Sequence, residues 1–149
     1  MRYTSAKSRP TAPFDADLEF RDSYAATSSA AAQVDSAAKV VDLGTGFFEG
    51  EMVIDVTACA VDGGDEAYTI QLQFSDNTDF STGSEYEGPG LRIGDAAVTG
   101  GDVDTTTGRY TLPFNNRVVN GTTVRYARIY TTHVGSTSSI TFTAFAVPH

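Results

Sequence analysis

The sequence predicts an all-β protein, an antiparallel β-sandwich of jelly-roll type with an extended N-terminal arm. It holds 20 threonines and 13 valines against 5 leucines and 2 lysines, so residues that favour strands outnumber strong helix formers. Apolar and polar side chains alternate in many short stretches, as they do in strands with one buried face. Clusters of Gly, Asn and Asp separate these stretches and favour tight turns. About eight strands at this spacing indicate two packed sheets.

The chain is expected to form one domain preceded by an arm, because 149 residues suit a single hydrophobic core. Residues 1–36 are interpreted as an extended arm with an added strand and an Ala/Ser-rich connector, and residues 37–149 as the sandwich. Residues 1–13 are basic and contain two prolines, which favour extended backbone. Fully extended, they would reach about 40 Å, far enough to touch a neighbouring subunit. The alternative is an untethered terminus.

Residues 14–21 alternate strictly between apolar and charged side chains, from Phe14 through Phe20 to Arg21. Period two over this length favours a strand over a helix. A strand so near the terminus is expected to add to an edge of its own sheet, with addition to a partner's sheet as the alternative. Residues 25–38 hold mainly Ala, Ser and Thr, and are interpreted as a surface connector because their side chains are too small to anchor a core.

The strand around which the body is organised runs from Tyr68 to Phe74. Every second residue is apolar and the others are Thr or Gln, so one face is expected to be buried. Ser75-Asp76-Asn77 then turns the chain, and Phe80 supplies a returning aromatic anchor. Residues 82–90 are predicted to form a polar loop suited to contacts. The other predicted strands are residues 39–43, 51–61, 91–93, 96–99, 109–114, 117–119, 122–132 and 139–147.

Turn residues between these strands predict three hairpins. Asp62-Gly63-Gly64-Asp65 is expected to join residues 51–61 to the organising strand. Asn120-Gly121 is a two-residue hairpin signal. Gly135-Ser136-Thr137 is expected to close the last hairpin, between residues 122–132 and 139–147.

Charge is distributed unevenly along the chain, whose net charge is −9. Residues 47–104 hold thirteen acids and one arginine, whereas residues 105–149 hold four arginines and no acid. This predicts either a dipolar surface that packs identical subunits together or ordinary solvated strand faces. Overall acidity argues against a nucleic-acid partner. Neither a signal peptide nor a membrane-spanning stretch is recognisable, so the sequence predicts a soluble product made in the cytoplasm, with no membrane partner.

No arrangement of residues predicts an enzyme active site or a cofactor site. The acidic clusters Asp62/Asp65/Glu66, Asp76/Asp79 and Asp102/Asp104 offer oxygen ligands for calcium, but turns require the same residues and are the favoured interpretation. The histidines His133 and His149 lack evident catalytic partners, and the single Cys59 is interpreted as a small core residue. The prediction is therefore a protein without enzymatic activity, metal or cofactor.

Carbohydrate binding is the main alternative function, because β-sandwich modules commonly bind sugars through exposed aromatic rings. The chain has no tryptophan. Tyr86, Tyr126 and Tyr130 are the candidate stacking residues, with core or subunit contacts as the alternative role.

Four stretches of the chain, in this order and spacing between residues 18 and 147, resemble the small capsid cement (decoration) proteins of tailed bacteriophages. They are Leu18-Glu19-Phe20-Arg21-Asp22, Val40-Val41-Asp42-Leu43-Gly44, Ile70-Gln71-Leu72-Gln73-Phe74-Ser75-Asp76 with Phe80-Ser81, and Arg125-Tyr126-Ala127-Arg128-Ile129-Tyr130 before Gly135. The resemblance implies a short β-sandwich that binds the outer surface of the phage head and bridges neighbouring major capsid proteins. The basic extension of residues 1–13 departs from the shorter start expected of that family.

From this resemblance we expect a structural virion protein on the outer capsid surface, with the major capsid protein as partner. Homo-oligomers are expected, with a trimer favoured over a dimer. The arm and first strand are predicted to make capsid or subunit contacts, with the protein's own core as the alternative for the phenylalanines. The candidate contact residues are Arg2, Arg9, Phe14, Phe20, Tyr24 and Tyr86.

Overall fold

A computed structural model describes residues 15–81, 85–118 and 120–149. Its strands are β1 (Glu19–Ala26), β2 (Ala30–Ala31), β3 (Gln33–Val34), β4 (Ala37–Ala38), β5 (Val41–Asp42), β6 (Glu49–Cys59), β7 (Ala67–Ser75), β8 (Tyr86–Gly94), β9 (Gly108–Asn115), β10 (Tyr126–Val134) and β11 (Ile140–Pro148). A 3₁₀ helix spans Ala16–Leu18, and a one-turn helix α1 spans Ala96–Thr99.

The strands form two antiparallel sheets. The first sheet has the order β1-β11-β6-β9, and the second has the order β2-β10-β7-β8 with β5 also paired to β10. Strands β3 and β4 form a separate two-stranded ribbon. The predicted all-β antiparallel sandwich is confirmed, and its jelly-roll connectivity stays a prediction.

The core lies between the sheets and follows the alternation seen in the sequence. On β7, Tyr68, Ile70, Leu72 and Phe74 are all buried, as predicted. They belong to one apolar cluster with residues from the facing strands. These include Met52, Ile54 and Val56 of β6, Ala127 and Ile129 of β10, and Ile140, Phe142, Ala144 and Ala146 of β11.

Two of the predicted hairpins are wrong, because their strands lie in different sheets. Strand β6 pairs with β11 and β9, while β7 pairs with β10 and β8. Likewise, β10 and β11 join opposite sheets. The Gly-rich turns reverse the chain direction in both places. Which sheet the next strand joins depends on where its apolar face is buried. The Asn120-Gly121 turn is confirmed, since an antiparallel bridge joins Arg117 to Thr123 and Gly121 has φ of 84°. The predicted hairpin strands are not, because that bridge is isolated and β10 begins only at Tyr126.

The N-terminal strand starts later than predicted. Asp15 caps the 3₁₀ helix by accepting a hydrogen bond from the Asp17 amide at 3.0 Å, and β1 begins at Glu19. The prediction that this strand adds to a sheet of its own chain is confirmed, because β1 lies at the edge of the first sheet and pairs with β11. Strict alternation fails, since consecutive Phe20 and Arg21 are both buried beside irregularities in the β1–β11 register.

Three other local predictions need correction. Tyr86 to Gly90 belong to β8 and not to a loop, because the Gly- and Pro-rich sequence is accommodated on an edge strand with a bulge. Residues 96–99 are helical, since the Asp95 side chain caps them through the Ala97 amide at 2.8 Å. The connector contains short strands and the buried Ala32, which joins the core.

Oppositely charged segments interleave in the fold, because β6 of the acidic stretch pairs with β9 of the basic stretch. Arg109 binds Asp55 through two hydrogen bonds of 2.6 and 2.7 Å. In the second sheet, Arg125 binds Asp42 at 2.9 and 2.8 Å. These ion pairs neutralise two of the four arginines of residues 105–149. A dipolar surface is therefore less well supported than ordinary solvated strand faces.

Glu66 joins the two connections that cross between the sheets. Its buried carboxylate accepts hydrogen bonds from the Thr137 hydroxyl and from the Gly63 and Asp65 amides. A Cβ at Gly135, whose φ is 107°, would lie 2.8 Å from the Glu66 Cα, so the loop after β10 packs directly against this residue. The Glu66 carboxylate therefore ties the β6–β7 connection to the β10–β11 connection.

We expect Glu66→Gln to lower the melting temperature by several degrees at neutral pH. The Thr137 hydroxyl, followed by the backbone amides, lowers the pKa of Glu66 below its ordinary value. Stabilisation is therefore complete above the unfolded pKa of about 4.3 and is lost as the pH falls through the lower folded pKa. Melting curves from pH 7 to pH 2 should show the difference between the two proteins shrinking with acid. An undiminished difference at pH 2, or an equal effect of the exposed control Glu87→Gln, would contradict this role.

Candidate binding face

The outer side of the second sheet carries a group of aromatic, amide and guanidinium side chains. Register pairs Tyr130 with Gln71, Arg128 with Gln73 and Tyr126 with Ser75, all on the side opposite the buried residues of β7. We call the patch formed by Gln71, Gln73, Tyr126, Arg128, Tyr130 and Phe80 the tyrosine-arginine face. Apart from Phe80, its members are partly exposed.

Phe80 reaches this face through the turn that follows β7. The Asn77 amide donates to the Ser75 hydroxyl at 3.0 Å, and the Ser81 amide donates to the Asp79 carboxylate at 3.2 Å. These bonds bring the chain back, as the sequence predicted, and leave Phe80 only 5% exposed. Phe80 has φ of 47°, a left-handed conformation that is uncommon for an aromatic residue. Such backbone strain is concentrated at functional sites.

Arg128 is the centre of the face. Its guanidinium carbon lies 4.5 Å from the centroid of the Phe80 ring and 5.6 Å from that of Tyr130. Its Nε donates to the Gln73 side-chain oxygen at 2.9 Å. Two aromatic contacts and an amide hydrogen bond hold the guanidinium in one orientation.

Tyr126 lies at the end of the face beside an ion pair. The Arg125 guanidinium carbon is 5.3 Å from the Tyr126 ring centroid, and Arg125 pairs with Asp42 of β5. Hydrogen bonds from Arg125 and the Gly44 amide lower the pKa of Asp42 to about 2. Asp42 is therefore ionised at any physiological pH. Its negative charge and the positive charge of Arg125 cancel locally.

The three predicted contact residues that the structure describes, Phe20, Tyr24 and Tyr86, do not share one surface. Arg2, Arg9 and Phe14 lie outside the described residues. Phe20 is fully buried in the core and so offers no surface to a partner, which corrects its assignment as a contact residue. Tyr24 lies on β1 of the first sheet and Tyr86 on β8 of the second.

Tyr86 lines a cleft between the edge strands of the two sheets. The cleft has a volume of about 320 Å³ and is bounded by Phe74, Pro89, Pro113 and Phe114, with Tyr86 43% exposed at its rim. Prolines on both edge strands block pairing with another strand. This cleft can accept a side chain or a small ligand but not a strand added to either edge at the prolines.

Tyr24 is used within the protein. Its ring stacks on the Arg21 guanidinium, with 3.6 Å between the ring centroid and the guanidinium carbon, and its hydroxyl accepts from the Gln33 amide at 3.0 Å. Arg21 is 1% exposed and lies between Tyr24 and Phe142. Burial lowers the pKa of Arg21 from its ordinary value. Tyr24 therefore shields a buried cation, with part of its own surface left exposed.

The residues considered for chemistry have mainly structural contacts. Among residues 15–81, 85–118 and 120–149, no three His, Cys, Asp or Glu side chains are grouped to hold a metal. Carboxylates of the acidic clusters accept turn hydrogen bonds, as Asp104 does from the Ala96 amide at 2.9 Å. His133 packs edge-on against Tyr68, and burial lowers its pKa. Cys59 packs against the core, and burial raises the pKa of its thiol to about 11, so it is a poor nucleophile.

The sequence predicted two members of the tyrosine-arginine face, Tyr126 and Tyr130, as candidate stacking residues, but it did not predict Arg128 as a site residue. Tyr126, Arg128 and Tyr130 are spaced two apart, so on a strand they share one side. The contribution of Phe80 depends on the turn and could not be read from spacing. The chain matches no protein-family model, and no similar curated protein or solved structure was found. Within the described parts of the chain, no helix is long and apolar enough to cross a membrane.

Proposed function

We propose that this protein is a structural capsid cement protein that binds the outside of a phage head through its tyrosine-arginine face. The observation that carries the proposal is the packing of Arg128 against Tyr130 and the buried Phe80 on the outer side of the second sheet. Tyr, Phe and Arg are the residues enriched in the centres of protein interfaces, where Lys, Asp and Glu are depleted. The resemblance of the sequence to phage cement proteins supplies the class of partner, the major capsid protein.

The rigidity of this face fits a mechanical role. Arg128 is held by Gln73 and by two rings before any partner binds, so little side-chain entropy is lost on association. A cement protein that contacts adjacent capsid subunits dissociates only when all its contacts release together. Modest contacts repeated by the symmetry of the shell, and of an oligomeric cement protein, then stabilise the lattice against internal pressure.

The test is binding of the purified protein to mature capsids that lack it, together with the temperature at which the shell disrupts. Binding should raise that temperature. We expect Arg128→Ala to weaken capsid binding about tenfold or more, because it removes the centre of the interface. Arg109→Ala is the matched control, since Arg109 is a surface arginine of the other sheet. Absence of capsid binding by the unmodified protein, or equal loss in both variants, would refute the proposal.

Carbohydrate binding is the second candidate function, and the same face favours it. Tyr126 and Tyr130 present partly exposed rings, and Gln71 and Gln73 of the neighbouring strand supply amide groups suited to sugar hydroxyls. A glycan array with the isolated protein separates the two functions. Saturable glycan binding that Tyr130→Ala abolishes, without capsid binding, would establish the alternative.

A further inference from the structure

The cleft between the edge strands β8 and β9 has a fixed floor. The nearly buried rings of Phe74 and Phe114 form this floor, with their centroids 6.2 Å apart. A Cβ at Gly88 would lie 2.5 Å from the Phe74 ring, so a glycine at this position lets β8 lie close to the floor. The Gln71 side-chain amide donates a hydrogen bond to the Gly88 carbonyl and holds the strand there. The cleft is therefore a preformed recess in the surface.

Two exposed aromatic side chains lie beside this recess. Tyr86 is at its rim, and Phe47 is 52% exposed. The guanidinium carbon of Arg117, a residue that lines the cleft, lies 5.0 Å from the centroid of the Phe47 ring. Phe48 packs inward on Phe114, with 5.7 Å between the ring centroids, and the ring of Phe47 is left on the surface. Exposed apolar side chains grouped in this way are typical of an interaction site.

The cleft also carries two charges of opposite sign. Glu87 of β8 and Arg117, which follows β9, both line it, and both are exposed. Neither forms an ion pair among the residues that the structure describes. A patch with one cation on one side and one anion on the other is complementary to a copy of itself, because a two-fold axis places each charge opposite its counterpart.

The size and edges of the cleft restrict what can enter it. Pro89 and Pro113 exclude a strand that pairs with either edge. The volume of about 320 Å³ lies at the small end of the range for ligand sites and suits a single aromatic side chain. Phe47 is such a side chain, and Arg117 accompanies it.

We propose that two copies of this protein form a two-fold dimer in which Phe47 of each copy enters the cleft of the other. The Arg117 guanidinium, which stacks on Phe47, then pairs with Glu87 at the rim of the second copy's cleft. The two-fold axis repeats both contacts, so the patch closes on itself and no further copy is added. The inference does not depend on the capsid proposal, and it replaces the trimer expected from the resemblance by a dimer.

Sedimentation equilibrium of the full-length protein over a range of concentrations tests the dimer. We expect Phe47→Ser to raise its dissociation constant about thirtyfold or more, because the aromatic anchor at the centre of the contact is lost. Val134→Ser is the matched control, since Val134 is an exposed apolar residue at the opposite end of the second sheet. A monomer, a trimer, or a dimer that Phe47→Ser weakens no more than the control does would overturn the inference. Each result concerns the isolated protein and is distinguishable from any outcome with capsids.

Charge reversal tests the pairing of Arg117 with Glu87 between copies. Arg117→Glu and Glu87→Arg should each raise the dissociation constant about tenfold, because each variant alone places like charges opposite one another. An equal mixture of the two variants should form a heterodimer as stable as the unmodified dimer, since opposite charges then meet at both contacts. A role of either residue within one chain could not produce this recovery. Absence of recovery in the mixture, with both variants folded by circular dichroism, would refute the pairing.

Discussion

Replacement of Arg21 by methionine is expected to lower the free energy of unfolding by about 3 kcal/mol. The Arg21 guanidinium donates to the backbone carbonyls of Phe142, Asp22 and Tyr24, the last two at 3.3 and 3.0 Å. Methionine fills much of the volume but donates no hydrogen bond, so carbonyl groups in a water-poor site lose their partner. Equilibrium urea unfolding measures the loss.

Two controls separate this effect from simple loss of charge. Arg21→Lys keeps the charge, but the lysine ammonium is not planar. It cannot stack between Tyr24 and Phe142 and also reach several carbonyls, so most of the loss of stability should remain. Arg92→Met removes an exposed arginine from β8 and should change stability by less than about 0.5 kcal/mol. A loss below about 1 kcal/mol for Arg21→Met would show that the hydrogen bonds of Arg21 do little more than offset the free-energy cost of desolvating its charge.

Replacement of Asn116 by leucine is also expected to destabilise the fold by about 3 kcal/mol. Asn116 is fully buried, and its side-chain amide joins two other segments of the chain. Oδ1 accepts from the Phe48 amide at 2.8 Å, while Nδ2 donates to the carbonyls of Gly46 and Val124 at 2.8 and 3.0 Å. Leucine has a similar volume but leaves all three backbone groups without this partner. Thermal unfolding gives the size of the loss.

Hydrogen exchange locates the effect of the Asn116 substitution. The amide of Phe48 should exchange faster in Asn116→Leu than in the unmodified protein, because its acceptor has been removed. Asn115→Ala is the matched control at the neighbouring exposed position, where the Asn115 side-chain bond to the Arg117 amide is lost. Unchanged exchange at Phe48, or an equal loss of stability in the control, would contradict the proposed role of Asn116.

Arg21 and Asn116 lie at different places and perform the same task. Arg21 fills the irregular part of the β1–β11 pairing, where the register shifts between Arg21 and Tyr24. Asn116 fastens the segment after β9 to the segment before β6. Both use side-chain donors to satisfy backbone groups that regular sheet pairing leaves open. Polar residues of this kind are as necessary to the sandwich as its apolar core.

The sequence by itself determined part of the local structure. Alternation identified β7 and its buried face, and the Ser75-Asp76-Asn77 turn with Phe80 was predicted because its hydrogen bonds connect residues close in the chain. Asn120-Gly121 gave a turn for the same reason. The addition of β1 to the first sheet was predicted from its position near the terminus, although the strand starts later than its alternation indicated.

The tertiary structure alone decided which sheet each strand joins and which polar residues are buried. β6 and β7 are neighbours in sequence but lie in opposite sheets, because β6 pairs with the distant strands β9 and β11 while β7 pairs with β8 and the distant β10. Arg21 occupies a charged position in an alternating stretch of the sequence, yet it is buried, in part because Phe142, more than a hundred residues later, packs against it. The tyrosine-arginine face likewise depends on Phe80 meeting Arg128. Contacts between residues so far apart in the chain produce no recognisable pattern in the local sequence. They form because the folded sandwich as a whole has the lowest free energy.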